Sequence, residues 1–349
     1  MDSTKHQFKH PTVRIEENIS LKPFNTFGLS VNASRFAFIK EIPDLYEALN
    51  HVQGKGESLF ILGGGSNILL LGDVSKLVLK IELRGIELLE EDQDSVVVKV
   101  GAGVIWHDFV MYAVERGWGG IENLALIPGT VGASPIQNIG AYGVEIKETF
   151  VELEAINISS GVTKIFNRSE CRFGYRYSIF KGEEKGRWII TSVTFRLRKH
   201  GLVDTSYGDL RQVLEAQGIT DPTIRDVSRA VIQIRQQKLP DPALIGNAGS
   251  FFKNPEIPQS HYHSLKEKYG TIPGYPMGNL VKVPAGWLIE KAGWKGYREG
   301  SVGVHDRQAL VLVNYGGGKG AEIKQLAERI QASVEAKFGI LLSPEVNYL

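Results

Sequence analysis

Three residues of this sequence stand in surroundings that could support polar chemistry, and each also has a plainer reading. Arg176 lies in RFGYRYSIFK among Tyr175, Tyr177 and Phe180. A guanidinium beside aromatic rings can be oriented by stacking while it presents a planar fork to a carboxylate; otherwise it is a surface or structural arginine. Ser250 lies in GNAGSFFKNP, where Gly249 gives the hydroxyl clearance and two phenylalanines exclude water. The alternative is a serine bonding local backbone in a turn. Phe at position 252 rules out the G-x-S-x-G elbow of a hydrolase. Glu345, in SPEVNYL, is an acid beside β-branched residues close to the C-terminal end, which suits an ordered segment, although a solvated glutamate reads the same way.

Two glycine-rich segments could hold a phosphate-bearing ligand. In ILGGGSNILL an apolar strand runs into Gly63, Gly64 and Gly65, followed by Ser66 and Asn67. Backbone without side chains lets successive N–H groups converge on an anion such as a pyrophosphate, and Ser66 and Asn67 add donors; a tight turn would need the same residues. The dinucleotide fingerprint G-x-G-x-x-G is not met, because Ile68 stands where its third glycine belongs. The second segment, GGIENLALIPGTVGASPIQNIGAYG at 119–143, is too rich in Gly, Pro and Asn for regular structure. Its backbone groups need partners outside any ladder, from a ligand or from a buried structural loop. With 39 glycines in 349 residues the chain exceeds the usual share of about 7%, and the excess is clustered.

Several other motifs carry less. GGGKG at 316–320 lacks the upstream glycine and the hydroxyl residue of a P-loop. His261 and His263 have no acid cluster beside them, so no metal is expected. Cys171 stands alone, which excludes an internal disulfide and fits a reducing compartment. The formal net charge of +1 gives no reason to expect nucleic acid or a membrane surface as partner, and no apolar run is long enough to span a bilayer. The first residues lack the apolar stretch of a secretion signal, so a cytoplasmic protein is expected.

The elements that must position these residues follow from periodicity. The length argues for two or three domains. Residues 1–20 read as a flexible extension. Strands are expected over 59–62 and 76–81, the run VVVKVGAGV spans 96–104, a helix from Ile105 stops at Gly117, and extended stretches lie near 151–158 and 188–197. The pattern weakens between Tyr207 and Pro222; a helix then runs from Thr223 until Pro240 closes it. A boundary is placed here, giving regions 21–85, 86–222 and 223–349, the last with one long amphipathic helix after the strand ALVLVN.

GGGSN followed by IPGTVGASPIQNIGAYG resembles the UDP-N-acetylenolpyruvoylglucosamine reductases, also called UDP-N-acetylmuramate dehydrogenases. Their FAD-binding fold is that of vanillyl-alcohol oxidase and para-cresol methylhydroxylase. The resemblance continues through CRFGYRYSIFK, YGDL, KLPDP, GNAGSFFKNP and PEV. It implies an α+β chain with a two-lobed FAD-binding domain and a smaller C-terminal α/β substrate domain.

By this resemblance FAD is the cofactor, NADPH is co-substrate, and the enolpyruvyl group of the UDP-sugar is reduced; with no histidine or cysteine inside GGGSN or 119–143, non-covalent FAD is expected, in a monomer. Arg176 and Glu345 would stabilise the enolate, and Ser250 would be the general acid. Tyr207 matches the tyrosine of the type that carries an extra loop over the sugar diphosphate. Tyr175, Lys238, Asn254, Lys295 and Gln308 are further substrate candidates. Gly63, Gly64, Gly65, Ser66, Asn67, Pro128, Gly129, Gly132, Ser134, Ile139 and Gly140 are cofactor candidates. Two rivals are an FAD-dependent alcohol or sugar oxidase on the same fold and a non-catalytic flavin or nucleotide-sugar sensor.

Overall fold

The computed structural model describes residues 13–201 and 203–349. Near the N-terminus, Glu16–Ser20, Asn32–Ile39, Val74–Ile81 and Leu59–Leu62 form a four-stranded sheet in that order, antiparallel at the first pair and parallel at the other two. Side chains alternate across a strand, and here the two faces serve different cores. Ala37, Leu77 and Leu79 face the helix Ile42–Lys55 and its Leu45 and Leu49, whereas Phe36, Val78 and Leu62 face the C-terminal region. That helix starts on a reciprocal cap between Glu41 and Asp44 and stops at Gly56 in left-handed conformation.

The second lobe is an antiparallel sheet of five strands in the order Thr163–Asn167, Phe150–Asn157, Trp188–Arg198, Ser95–Gly101 and Ile86–Glu91. The run VVVKV fills its centre because Val96, Val98 and Val100 face one core with Phe195 and Leu197. The helix Trp106–Glu115 covers it through Trp106, Phe109, Val110 and Ala113. The helices Gly208–Ala216 and Ile224–Lys238 belong to the same lobe.

C-terminal to these lie a four-stranded antiparallel sheet, Gly246–Ser250, Val311–Asn314, Val302–Val304 and Arg298–Glu299, a smaller three-stranded sheet, and the long helix Gly320–Phe338. The last short strand, Asn347–Tyr348, pairs in parallel with Ile68–Leu69, the strand that follows the triple glycine.

Three expectations need correction. Residues 1–12 of the expected flexible extension lie outside the described residues, but Glu16–Ser20 is a strand, held by its ladder to Asn32–Ile39. The weak stretch after Tyr207 contains a helix that buries only Leu210 and Leu214, too short an apolar stripe to read in the sequence. The boundary at 222/223 cuts off the helix Ile224–Lys238 from its partners, since Val227, Ala230, Val231 and Ile234 bury in the core of the second lobe.

Candidate active site

The two glycine segments meet backbone to backbone. A Cβ on Gly64 would stand 2.7 Å from the Cα of Gly129, one on Gly63 would stand 2.8 Å from the Thr130 hydroxyl, and one on Gly129 would stand 3.0 Å from the Ser66 hydroxyl. Gly65 takes φ +64°, and a Cβ there would run into the carbonyl of Phe24. These glycines bring a loop of the first sheet against a loop of the second lobe. The Lys80 ammonium sits on this seam, donating to the Gly63 carbonyl at 2.6 Å, and burial lowers its pKa.

Other cofactor candidates divide. Pro128 is exposed next to Gly129. Gly132 is buried against Ala102 and its N–H bonds the Ala102 carbonyl, while the Ser134 hydroxyl is used on the Val131 carbonyl at 2.7 Å. Both shape the loop from within. Ile139 packs at the edge of the second core, and the Gly140 carbonyl accepts a 2.6 Å hydrogen bond from Arg176 Nη2.

Arg176 and Glu345, 169 positions apart in the sequence, meet with Nε 3.3 Å from Oε1. Arg176 also lies 3.9 Å from Glu145, and its guanidinium stands 5.1 Å from the centre of the Tyr175 ring. It holds φ +50°, one of six non-glycine residues with positive φ among those described; Leu126, Asn138, Tyr142 and Arg172 are four of the others. Such backbone costs of order 1–3 kcal/mol and persists only where the surroundings over-determine it. Here Gly174 and Tyr177 on either side of Arg176 exchange backbone hydrogen bonds at 3.0 and 3.2 Å, and the fully buried Asn138 donates to the Gly174 carbonyl and to the Glu145 carboxylate.

Glu345 is delivered by the C-terminal segment, whose Glu345 N–H bonds the Phe251 carbonyl at 2.8 Å. Ser250, the residue before Phe251, thus ends its strand beside the Glu345 backbone, with an exposed side chain. Burial pushes the Glu345 carboxyl above the ordinary carboxylate range, against the pull of Arg176, Lys181 and Lys253. Gln137 donates to Glu345 Oε1 at 3.2 Å and accepts from Lys181 at 3.0 Å and from Asn67 at 3.0 Å. Asn67 therefore ties the triple-glycine loop to the acid.

On the substrate side, the Asn254 side chain faces the Tyr175 hydroxyl, and its Oδ1 accepts the Ala285 N–H that opens a short helix. Gln308 borders the same helix start, since a Cβ on Gly286 would meet its Oε1 at 3.0 Å. Tyr207 is 42% exposed, packed edge-on to Tyr142, and Asp209 two residues later pairs with Lys238. Lys295 stands apart on the surface, bonded to Glu290. A depression of about 610 Å³, lined among others by Glu122, Arg198, Asp204 and Arg211, lies beside the segment leading into Tyr207 and contains none of the catalytic candidates.

The sequence reading missed Glu145, Lys181, Arg235 and the role of Gln137. Arg235 is half-buried, bonds the Leu126 carbonyl at 3.2 Å and faces the Tyr142 hydroxyl, and among the described residues no carboxylate pairs with it. A half-buried cation with neutral partners suits an anionic ligand. Its place in a regular amphipathic helix concealed it. Cys171, by contrast, is buried, and burial pushes its thiol up to about 12, so it is inert.

Residues 240–349 match the model described as UDP-N-acetylenolpyruvoylglucosamine reductase, C-terminal domain, and residues 33–166 match one described as FAD binding domain. A UDP-N-acetylenolpyruvoylglucosamine reductase of Chromobacterium violaceum is 49% identical, the match covering 96% of this chain and 98% of the relative. The chain belongs to the UDP-N-acetylenolpyruvoylglucosamine reductase family. A relative of that name from Flavobacterium johnsoniae is 50% identical over 97% of this chain and all of its own length. The fold is that of the solved UDP-N-acetylenolpyruvylglucosamine reductase of Thermus caldophilus, with a TM-score of 0.68 at 22% identity, covering 96% of this chain and 99% of that one. A solvent-stable cholesterol oxidase shares it more distantly, with a TM-score of 0.50 at 11% identity over 95% of this chain and 87% of that one. The reductase family therefore appears here on an α+β, two-lobed flavin-binding fold. The cradle fits such a cofactor: side-chain-free loops of both lobes meet, and the half-buried Arg235 and Lys80 supply positive charge near the second lobe and the seam.

Proposed function

We propose that this chain is an NADPH-dependent flavoenzyme that reduces the enolpyruvyl group of UDP-N-acetylenolpyruvoylglucosamine to UDP-N-acetylmuramate, for peptidoglycan precursors, and works as a monomer in the cytoplasm. Among the described residues no helix is long and apolar enough to cross a membrane. The observation that carries the reading is the contact between Arg176 and Glu345, 3.3 Å apart at the edge of a glycine-lined cofactor cradle.

Bound FAD would supply the hydride chemistry that links NADPH to the vinyl carbon of the substrate. Gly63 to Asn67 and the 128–140 loop would hold it without a covalent link, and Arg235 would offer positive charge to its phosphates. Negative charge then develops on the substrate's carboxyl-bearing side, and preorganised donors count most where charge appears only during reaction. Arg176, pinned by the Gly140 carbonyl and by Glu345, supplies the fixed positive charge. Ser250 protonates the neighbouring carbon. Tyr207 and Lys238 cover the diphosphate, Tyr175, Asn254 and Gln308 hold the sugar side, and Lys295 reaches the nucleotide from outside. The domains are the first lobe from Glu16 to residue 85, the second lobe extended through Lys238, and the substrate domain beyond it.

Purified protein should be yellow, bleach with NADPH and recover colour with the enolpyruvyl sugar. Rapid recovery with oxygen instead would make it an oxidase. In stopped flow, Ser250→Ala should keep flavin reduction but slow reoxidation by substrate ~10²- to 10⁴-fold, the usual contribution of a positioned acid. Equal slowing of both half-reactions would make Ser250 structural.

A further inference from the structure

The carboxyl of Glu345 carries its contacts on one oxygen. Oε1 takes the Gln137 Nε2 hydrogen bond at 3.2 Å and the Arg176 Nε contact at 3.3 Å, while among the described residues Oε2 takes no hydrogen bond. The orientation of the Gln137 amide is dictated from outside. Its oxygen receives Lys181 Nζ at 3.0 Å, and an ammonium group can only donate, so the amide NH₂ must point at Glu345. Asn67 Nδ2, also 3.0 Å away, reinforces that choice from the cofactor loop.

We propose that Lys181 and Gln137 are positioning residues for the reaction: the chain Lys181–Gln137–Glu345 fixes Oε1 as an acceptor and leaves Oε2 as the oxygen that can carry a proton toward the substrate. The proposal rests on the function given above. An acid protonated on Oε2 donates a hydrogen bond to a developing enolate oxygen; one protonated on Oε1 would turn lone pairs toward it and repel it. No bond beyond that hydrogen bond is made or broken. Burial, which favours the acid form, makes the choice of oxygen consequential. The charged and titratable groups facing this cluster are Arg176, Glu145, Lys181, Lys253 and Tyr175, with Lys185 near Lys181.

The test uses Lys181→Met, Gln137→Leu and the conservative Lys181→Arg in the holoenzyme, with two readouts. In stopped flow, Lys181→Met and Gln137→Leu should slow reoxidation by substrate relative to flavin reduction by ~10- to 100-fold, the scale of a misplaced reacting group, and Lys181→Arg should restore the ratio. In infrared difference spectra across the Glu345 titration, with the band assigned by its loss in Glu345→Gln, the same two variants should shift the carboxyl C=O stretch and Lys181→Arg should return it. An unmoved band, an unchanged ratio, or a Lys181→Arg protein that behaves like Lys181→Met overturns the proposal. Wild-type enzyme that the enolpyruvyl sugar fails to reoxidise, with the band shifting as described, removes the functional reading and leaves the Glu345 geometry standing.

Discussion

At the scale of single residues, the site depends on groups whose geometry, more than their identity, does the chemistry. Arg176 bonds the Gly140 carbonyl through Nη2 and meets Glu345 through Nε. A lysine offers one point charge and cannot serve both directions. Arg176→Lys should therefore slow substrate reduction by ~10²-fold, a loss comparable to that of one preorganised donor, and normal stopped-flow reoxidation would take Arg176 out of the mechanism. Lys181 gives a stability test. Burial, followed by the nearby charge of Lys253, lowers its pKa from 10.5 to about 8. Between those values the unfolded chain holds the extra proton, so folding stability rises with pH through that window and the penalty is fully present below it. The urea-unfolding difference between wild type and Lys181→Met should move in favour of wild type from pH 8 to 10.5, and a flat difference would contradict the shift. Arg176, Ser250 and Glu345 were named through the resemblance, since the local context of each fits a structural or solvated residue as well; what the structure adds is the contact of Arg176 with Glu345. Gln137 and Lys181 were not named, because a glutamine in a loop and a lysine after an aromatic run acquire meaning only from what lies across from them.

At the scale of elements, periodicity located several of the longer strands and helices but gave no bounds for others, such as Asn32–Ile39 and Ile42–Lys55. Leu59–Leu62 occupies the range its apolar run predicts, and Phe150–Asn157 and Trp188–Arg198 lie within a residue of theirs. What periodicity could not convey is allegiance. The helix Ile224–Lys238 has a clear apolar stripe, but nothing in a stripe says which sheet it faces. The glycine loops are a second case: clustering announces a close approach without naming its partner, and the partner of Gly64 is Gly129 in another lobe. A methyl group at 64 would lie 2.7 Å from backbone that cannot rotate away, so the two loops must separate. Gly64→Ala should cost about 1–3 kcal/mol, the usual range for overpacking, and lower the flavin content of purified protein. Full flavin occupancy in that variant would mean the seam is not where the cofactor binds.

At the scale of the whole molecule, the C-terminal region has no core of its own. Phe27, Phe36, Leu62 and Val78 of the first lobe bury in one cluster with Phe251, Phe252, Leu312 and Ile330. The strand Asn347–Tyr348 ladders onto Ile68–Leu69, and the Leu71 N–H bonds the Leu349 carbonyl, so the segment carrying Glu345 is anchored to the strand that follows the glycine loop. Substrate-side and cofactor-side groups are thereby held in register by packing instead of by a flexible hinge. Phe251 is the clearest probe, fully buried, edge-on to Phe27 at 6.4 Å and to Phe252 at 5.1 Å, and it directly follows Ser250. Phe251→Ala should destabilise the protein by about 3–5 kcal/mol, the usual cost of emptying a buried aromatic site. Because the cluster is shared, calorimetry should record the first lobe and the C-terminal region melting together at a lower temperature. A C-terminal transition that moves while the first-lobe transition stays in place would show that the two cores are separable, and that Glu345 reaches Arg176 by docking of independent units instead of by a common core.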